Sequence, residues 1–170
     1  LQRLLQRGYA WHNAKPRRYH RDGLALLVLP GVFHPGFFHS SGVLARYVAT
    51  LDLRGRSFLE LGAGTGRIAL TAARAGAVVT ASDIHPAAVE NLRLNSTRNH
   101  LPVAVVESDL FAKLPGPFDV IAINPPYYPR TPRGWAEHAF YSGEEHAYFA
   151  RLFAQLAPRV ASGTEVLMVL

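Results

Sequence analysis

At 170 residues and 49% apolar content the chain is long enough for one domain with a sizeable core, and 18% charged residues argue against disorder. It has no cysteine, which excludes disulfides and thiolate metal sites. No apolar stretch reaches the about 20 residues that span a bilayer, so a cytoplasmic protein without a membrane partner is expected. The net charge of +6 has one source: Arg3, Arg7, Lys15, Arg17, Arg18 and Arg21 fall in the first 21 residues, which contain no Asp or Glu. Tyr9, Trp11, His12, Tyr19 and His20 interleave with them. Such an arm suits phosphate backbones and base stacking, and equally a solvated tail.

In chain order, Leu24 to Leu29 and Gly31 to Phe33 read as a small hairpin around Pro30. Ser40 or Ser41 reads as the cap of a helix running to about Leu51. From Ser57 onward strand-like and helix-like periods alternate. Strands are predicted at Ser57 to Leu61, Val78 to Ser82, Val103 to Glu107, Val120 to Ile123 and Glu165 to Leu170. Helices are predicted at Arg67 to Ala75, closed by Gly76, and from Pro86 to about Arg98. A further helix is predicted at Glu144 to Ala157, with Tyr148, Leu152, Phe153 and Leu156 on one face. This alternation implies an α/β fold: a Rossmann-like, doubly wound, mostly parallel sheet with helices on both faces. Residues 1–52 are expected to form a basic segment, a small hairpin and a covering helix, and residues 53–170 the main α/β domain, together one structural unit. The chain begins without Met and stops inside the apolar run Glu165 to Leu170, so further strands are expected beyond it.

Sheets of this kind bind ligands at the carboxyl ends of their strands, and both chemistry-bearing motifs lie there. Glu60-Leu61-Gly62-Ala63-Gly64-Thr65-Gly66 follows the first main strand. Its glycines allow a tight turn and close approach of a ligand to backbone, ahead of a helix N-terminus. The spacing is G-x-G-x-G, not the dinucleotide G-x-G-x-x-G. A carboxylate at Glu60 would repel a pyrophosphate and welcome an ammonium or sulfonium. Asp83 ends the second strand, where it can accept ribose hydroxyls or cap the next helix. Asp109 follows the third, where it can accept an exocyclic amino hydrogen while Ile84 and Leu110 enclose an adenine; a loop cap is the other reading. Asn124-Pro125-Pro126-Tyr127 ends the fourth strand abruptly, because neither proline can continue it. The result is a stiff turn with a neutral carboxamide and free carbonyls, suited to gripping a flat –NH2 group.

In order and spacing these motifs resemble those of class I S-adenosylmethionine-dependent methyltransferases, over roughly Phe33 to Leu170. The Asn-Pro-Pro-Tyr form resembles the amino-directed group, which includes release-factor glutamine N5-methyltransferases and N6-adenine methyltransferases of DNA and RNA. The resemblance implies S-adenosylmethionine held by Glu60, Gly62, Ala63, Gly64, Gly66, Asp83, Ile84, Asp109, Leu110 and Asn124, with Asn124, Pro125, Pro126 and Tyr127 acting on the acceptor. It implies a seven-stranded sheet, and a segment around His34 to Ser41 lying over the methionine end of the cofactor. Where glutamine methyltransferases carry an acidic residue and a threonine in that segment, this chain has His39-Ser40-Ser41.

The expected partner is a protein such as a release factor, or RNA or DNA. Two other functions compete on the residues alone. A nicotinamide-dependent dehydrogenase is opposed by the glycine spacing and by Glu60. A non-catalytic nucleic-acid-binding module is opposed by the intact Asn124 to Tyr127 motif. Trp135, Phe140 and Tyr141 read equally as pocket lining or as core packing.

Overall fold

The structure, a computed structural model, describes residues 14–37 and 39–169; the part of the basic arm before residue 14 lies outside them. Arg17–Arg21 (β1) and Leu24–Val28 (β2) pair as an antiparallel hairpin. Asp22 and Gly23 make its turn with φ of 50° and 73°. Positive φ at both central residues is what a two-residue type I′ loop needs, and Asp-Gly is a favoured pair for it. The hairpin expected around Pro30 is therefore corrected. Pro30 instead sits in a turn closed by Val32 N–H donating to the Leu29 carbonyl at 3.1 Å. His39–Val48 forms α1, so Ser40 and Ser41 lie inside the helix rather than capping it, and the helix stops three residues before Leu51.

The main sheet is built from Ser57–Leu61 (β3), Val78–Asp83 (β4), Val103–Glu107 (β5), Val120–Ile123 (β6) and Glu165–Met168 (β7). All neighbours are parallel, in the order β5-β4-β3-β6-β7. The helices between them are Arg67–Arg74 (α2), Pro86–Asn99 (α3), the short Trp135–His138 (α4) and Ala147–Leu156 (α5). The expected Rossmann-like α/β sheet is observed, with strand bounds that match the sequence periodicity to within a residue or two. Alternation along each strand fills both faces, as a parallel sheet requires. Phe58, Val79, Val120 and Ala122 pack with α1 and α2, while Leu59, Leu61, Ile121 and Ile123 pack with Phe111, Leu152 and Leu156.

The helix expected over Glu144 to Ala157 is interrupted. Glu145 and His146 take left-handed φ of 49° and 58°, and Tyr148 N–H donates to the Ser142 carbonyl at 2.8 Å instead of starting a continuous helix. Leu152 and Leu156 are buried, but Phe153 is half exposed and faces away from the core.

Arg67 and Arg74 both bond Asp22 at the hairpin turn, and a row of asparagines fastens the rest of the hairpin to the sheet domain. Residues 25, 27 and 29 point their backbone polar groups at α3, which answers with Asn91, Asn95 and Asn99. Their Oδ1 atoms accept the N–H of Leu29, Leu27 and Ala25 at 2.8, 2.7 and 2.9 Å. Their amides donate back to the Leu27 and Ala25 carbonyls at 2.7 to 3.1 Å. Four helical residues rise about 6 Å and two strand residues about 6.6 Å, so the two repeats stay in register over this length. The asparagines thus satisfy an edge that would otherwise be buried unpaired.

Candidate active site

Parallel register brings the carboxyl ends of β3, β4, β5 and β6 to one edge, where Leu61 lies opposite Ser82 and Ile123, and Asp83 opposite Glu107. The loops that leave those ends surround a cavity of about 330 Å³. Its floor is the glycine loop. Gly62 and Ala63 both donate N–H to the Ser82 carbonyl at 2.9 Å, and Gly64 donates to Asp83 Oδ2 at 2.8 Å. Gly62 and Gly64 have φ of 71° and 54°, a region that glycine enters without strain. A Cβ built on Gly62 would meet no atom within 4 Å, and one on Gly64 only the Phe33 Cβ at 3.9 Å. Backbone therefore faces open space that a bound molecule can fill. Gly66 differs: a Cβ there would lie 2.6 Å from Leu92 Cδ2, so this glycine permits α2 and α3 to pack closely and does not line the cavity.

Two side chains divide the work of starting α2. With Gly66 in a left-handed conformation, the helical bond from Ala69 N–H to the Thr65 carbonyl is not made. Glu60 Oε2 accepts the Ala69 N–H at 2.6 Å, and Asn95 donates to the Thr65 carbonyl at 2.9 Å. Glu60 is 3% exposed. Burial pushes its carboxyl up to about 8; the Ala69 N–H pulls it down, and the Asp83 charge raises it further. Asp83 is raised as well, by desolvation first, against the N–H groups of His85 and Gly64. Its other oxygen, Oδ1, accepts the His85 N–H at 2.9 Å, so it ties the glycine loop to the entry of α3.

Beside it, Asp109 forms an ion pair with Arg151 of α5. Leu110 is held at a φ of 48° by a turn in which Ser108 Oγ donates to its carbonyl at 2.9 Å. Asn124 reaches the cavity from the end of β6, and Tyr127 donates its hydroxyl to Asn124 Oδ1 at 2.8 Å. Desolvation raises the Tyr127 phenol, while the neighbouring Ser40 hydroxyl lowers it. Ser40 thus brings α1 up to the Asn124 turn, and residues 31–33 line the cavity from the same side.

The cavity collects Glu60, Gly62, Ala63, Gly64, Asp83, Ile84, Asp109, Leu110, Asn124 and Pro126. Gly66, Pro125 and Tyr127 are not among its lining residues. Sequence reasoning did not pick out His85, Tyr148 or Arg151, which line it too. The Tyr148 phenol is raised by burial, with the charges of Asp83 and Asp109 adding to the effect. For Tyr148 and Arg151 the signal is faint, because a distant helix face points nowhere until the fold is known; His85 lies two positions after Asp83, at the same strand end.

A doubly wound sheet whose loops enclose one cavity at its carboxyl edge defines the Rossmann-like ligand-binding class. The chain belongs to the methyltransferase small domain family, whose model matches residues 23–138. That membership sets the dehydrogenase reading aside. The chain is 39% identical over 123 residues to the release factor glutamine methyltransferase of Deinococcus radiodurans, covering 66% of this chain and 44% of the relative. It is 32% identical over 114 residues to the ribosomal RNA small subunit methyltransferase C of Hamiltonella defensa, covering 66% and 34%. Among solved structures, it is similar to the 16S rRNA N2 methyltransferase of T. thermophilus in complex with AdoMet and guanosine. That similarity has a TM-score of 0.60 at 31% identity, over 67% of this chain and 33% of the other. The chain thus spans less than half the length of each of these relatives. Among the described residues, no helix is long and apolar enough to cross a membrane.

Proposed function

We propose that this chain is the catalytic domain of an S-adenosylmethionine-dependent N-methyltransferase, acting on a planar amide or amino nitrogen. The observation that carries the proposal is the shared cavity: bare backbone at Gly62 and Gly64, carboxylates at Asp83 and Asp109, and the Asn124 carboxamide all face it. The donor set fits the cofactor. Asp83 would hold the ribose hydroxyls, Asp109 with Ile84 and Leu110 the adenine, and the glycine loop the amino-acid end. When bound, the cofactor supplies an electrophilic methyl group on a positively charged sulfur.

The acceptor nitrogen of an amide or an aromatic amine is a poor nucleophile, because its lone pair is delocalised. Asn124 Oδ1 accepts one of its N–H groups and the Pro125 carbonyl the other, which turns the lone pair toward the cavity. The Tyr127 hydroxyl keeps Oδ1 in place, and a carbonyl oxygen has a second lone pair free for the acceptor. Orientation of this sort supplies up to about 7–11 kcal/mol in favourable cases. As the methylated nitrogen gains positive charge its two protons become acidic and one passes to water, so no strong base is needed. Relatives named for glutamine and for ribosomal RNA support these two acceptor classes. With either, the work would belong in the cytoplasm.

The test is transfer of a tritiated methyl group by Asn124→Ala. Transfer should be lost while cofactor affinity stays within about twofold of wild type. Unchanged turnover would sink the mechanism.

A further inference from the structure

We infer that residues 128–135, on the outer side of the cavity, form a docking surface for an unpaired nucleic-acid strand that carries the acceptor base. The inference rests on the methyltransferase reading and names its substrate class. The segment reads Tyr-Pro-Arg-Thr-Pro-Arg-Gly-Trp and contains no acidic residue. Tyr128 and Trp135 are 59% and 49% exposed, unusual for large aromatics, and Arg130 and Arg133 are exposed beside them. The aromatics are held in place rather than loose. Tyr128 N–H donates to the Phe140 carbonyl at 2.9 Å and Ser142 N–H to the Tyr128 carbonyl at 2.8 Å, closing the segment at its base. Trp135 sits at the cavity rim with its ring 5.1 Å from His85 at 34° and 5.6 Å from His138 at 36°, and about half of it stays exposed. Two nearby acids are bound to the segment itself: Glu137 accepts the Arg133 backbone N–H at 2.8 Å, and Glu144 accepts from the Thr131 hydroxyl at 3.3 Å.

Across the cavity the charge has the same sign. Arg17 is opposite Val28, at the end of the hairpin from which residues 31–33 enter the cavity wall, and Lys15 and Arg18 are exposed there. Phe33 joins the two sides through its contact with Phe140, with centroids 5.8 Å apart. Rigid outward aromatics spaced by arginines are what a single strand needs: every base has a face to stack, and every nucleotide a phosphate to pair. A glutamine acceptor itself offers neither a base to stack nor a phosphate to pair.

The test is fluorescence anisotropy of short fluorescein-labelled RNA and DNA oligonucleotides of one sequence, with the chain at rising salt and without cofactor. Arg130→Gln with Arg133→Gln should weaken binding and make the log–log salt slope shallower by about 1.4, or about 0.7 per lost phosphate contact. Cofactor affinity should not change, since neither arginine lines the cavity. Trp135→Ala should weaken binding about fivefold or more, and Trp135→Phe should restore most of it. Comparing the RNA and DNA arms identifies the source of the strand. Wild-type affinity and slope in both sets of variants would overturn the proposal. So would methyl label that survives nuclease and is lost to protease, which would leave the methyltransferase reading intact. Strand binding with no affinity for S-adenosylmethionine would instead refute the methyltransferase reading, and the proposal with it.

Discussion

Asn95→Ala should be among the most destabilising single substitutions in the chain. Asn95 is 0% exposed. Its side chain makes three hydrogen bonds, with Leu27 N–H at 2.7 Å, the Leu27 carbonyl at 2.9 Å and the Thr65 carbonyl at 2.9 Å. The Leu27 carbonyl keeps Asn91 as a partner at 2.7 Å, so its share of the loss is small. Leu27 N–H and the Thr65 carbonyl are left without that partner in a buried setting. At about 1–3 kcal/mol for each orphaned group, the expected cost is about 2–6 kcal/mol. The assay is urea unfolding followed by circular dichroism, with the slope of free energy against urea unchanged and the midpoint shifted down. Because Thr65 belongs to the glycine loop, cofactor affinity should fall as well. A loss below about 1 kcal/mol would refute the reasoning, since it would mean that water reaches these groups and the asparagine row is not what holds the hairpin.

Three further predictions concern the glycine loop and its supports. Glu60 has a folded pKa of about 8 against an ordinary 4.5, so the folded state binds the extra proton between those values, and stability is lost as pH rises through that window. Glu60→Gln should remove up to about 1.4 kcal/mol per pH unit of that decline, measured as melting temperature from pH 5 to pH 8; an unaltered slope would assign it to another group. Asp83→Ala should weaken cofactor binding before it affects the acceptor, by calorimetric titration, because it removes both a ligand group and the anchor of Gly64. Gly55→Ala and Gly66→Ala share a φ in the seventies, but only the second meets a neighbour, Leu92. Denaturant unfolding should show about 1 kcal/mol for Gly55 and about 1–3 kcal/mol more for Gly66; equal costs would contradict the close-packing role.

The parallel sheet was legible in the sequence because each buried strand is a short apolar run bounded by glycine, proline or a carboxylate, and the motifs sit where those runs end. The hairpin turn was present as Asp22-Gly23, yet Pro30 is a louder signal and drew the reading to the wrong place. The asparagine row was not legible. Polar residues at every fourth position of a helix describe a solvent face unless a strand edge is known to lie against it. Glu60 was read as a charge offered to a ligand, and its bond to Ala69 N–H adds a structural task that no spacing announces. The Arg151 partner of Asp109 and the Tyr148 hydroxyl depend on where α5 lands, which is a tertiary fact. Glu145 and His146 break that helix with backbone conformations their residue types do not advertise.

Calorimetric titration of S-adenosylmethionine into the wild-type chain, Asp83→Ala and Asn124→Ala is the most direct measurement. The account predicts saturable one-to-one binding that Asp83→Ala weakens at least tenfold and Asn124→Ala leaves nearly unchanged. Absence of saturable binding to the wild-type chain, or equal binding by Asp83→Ala, would contradict it.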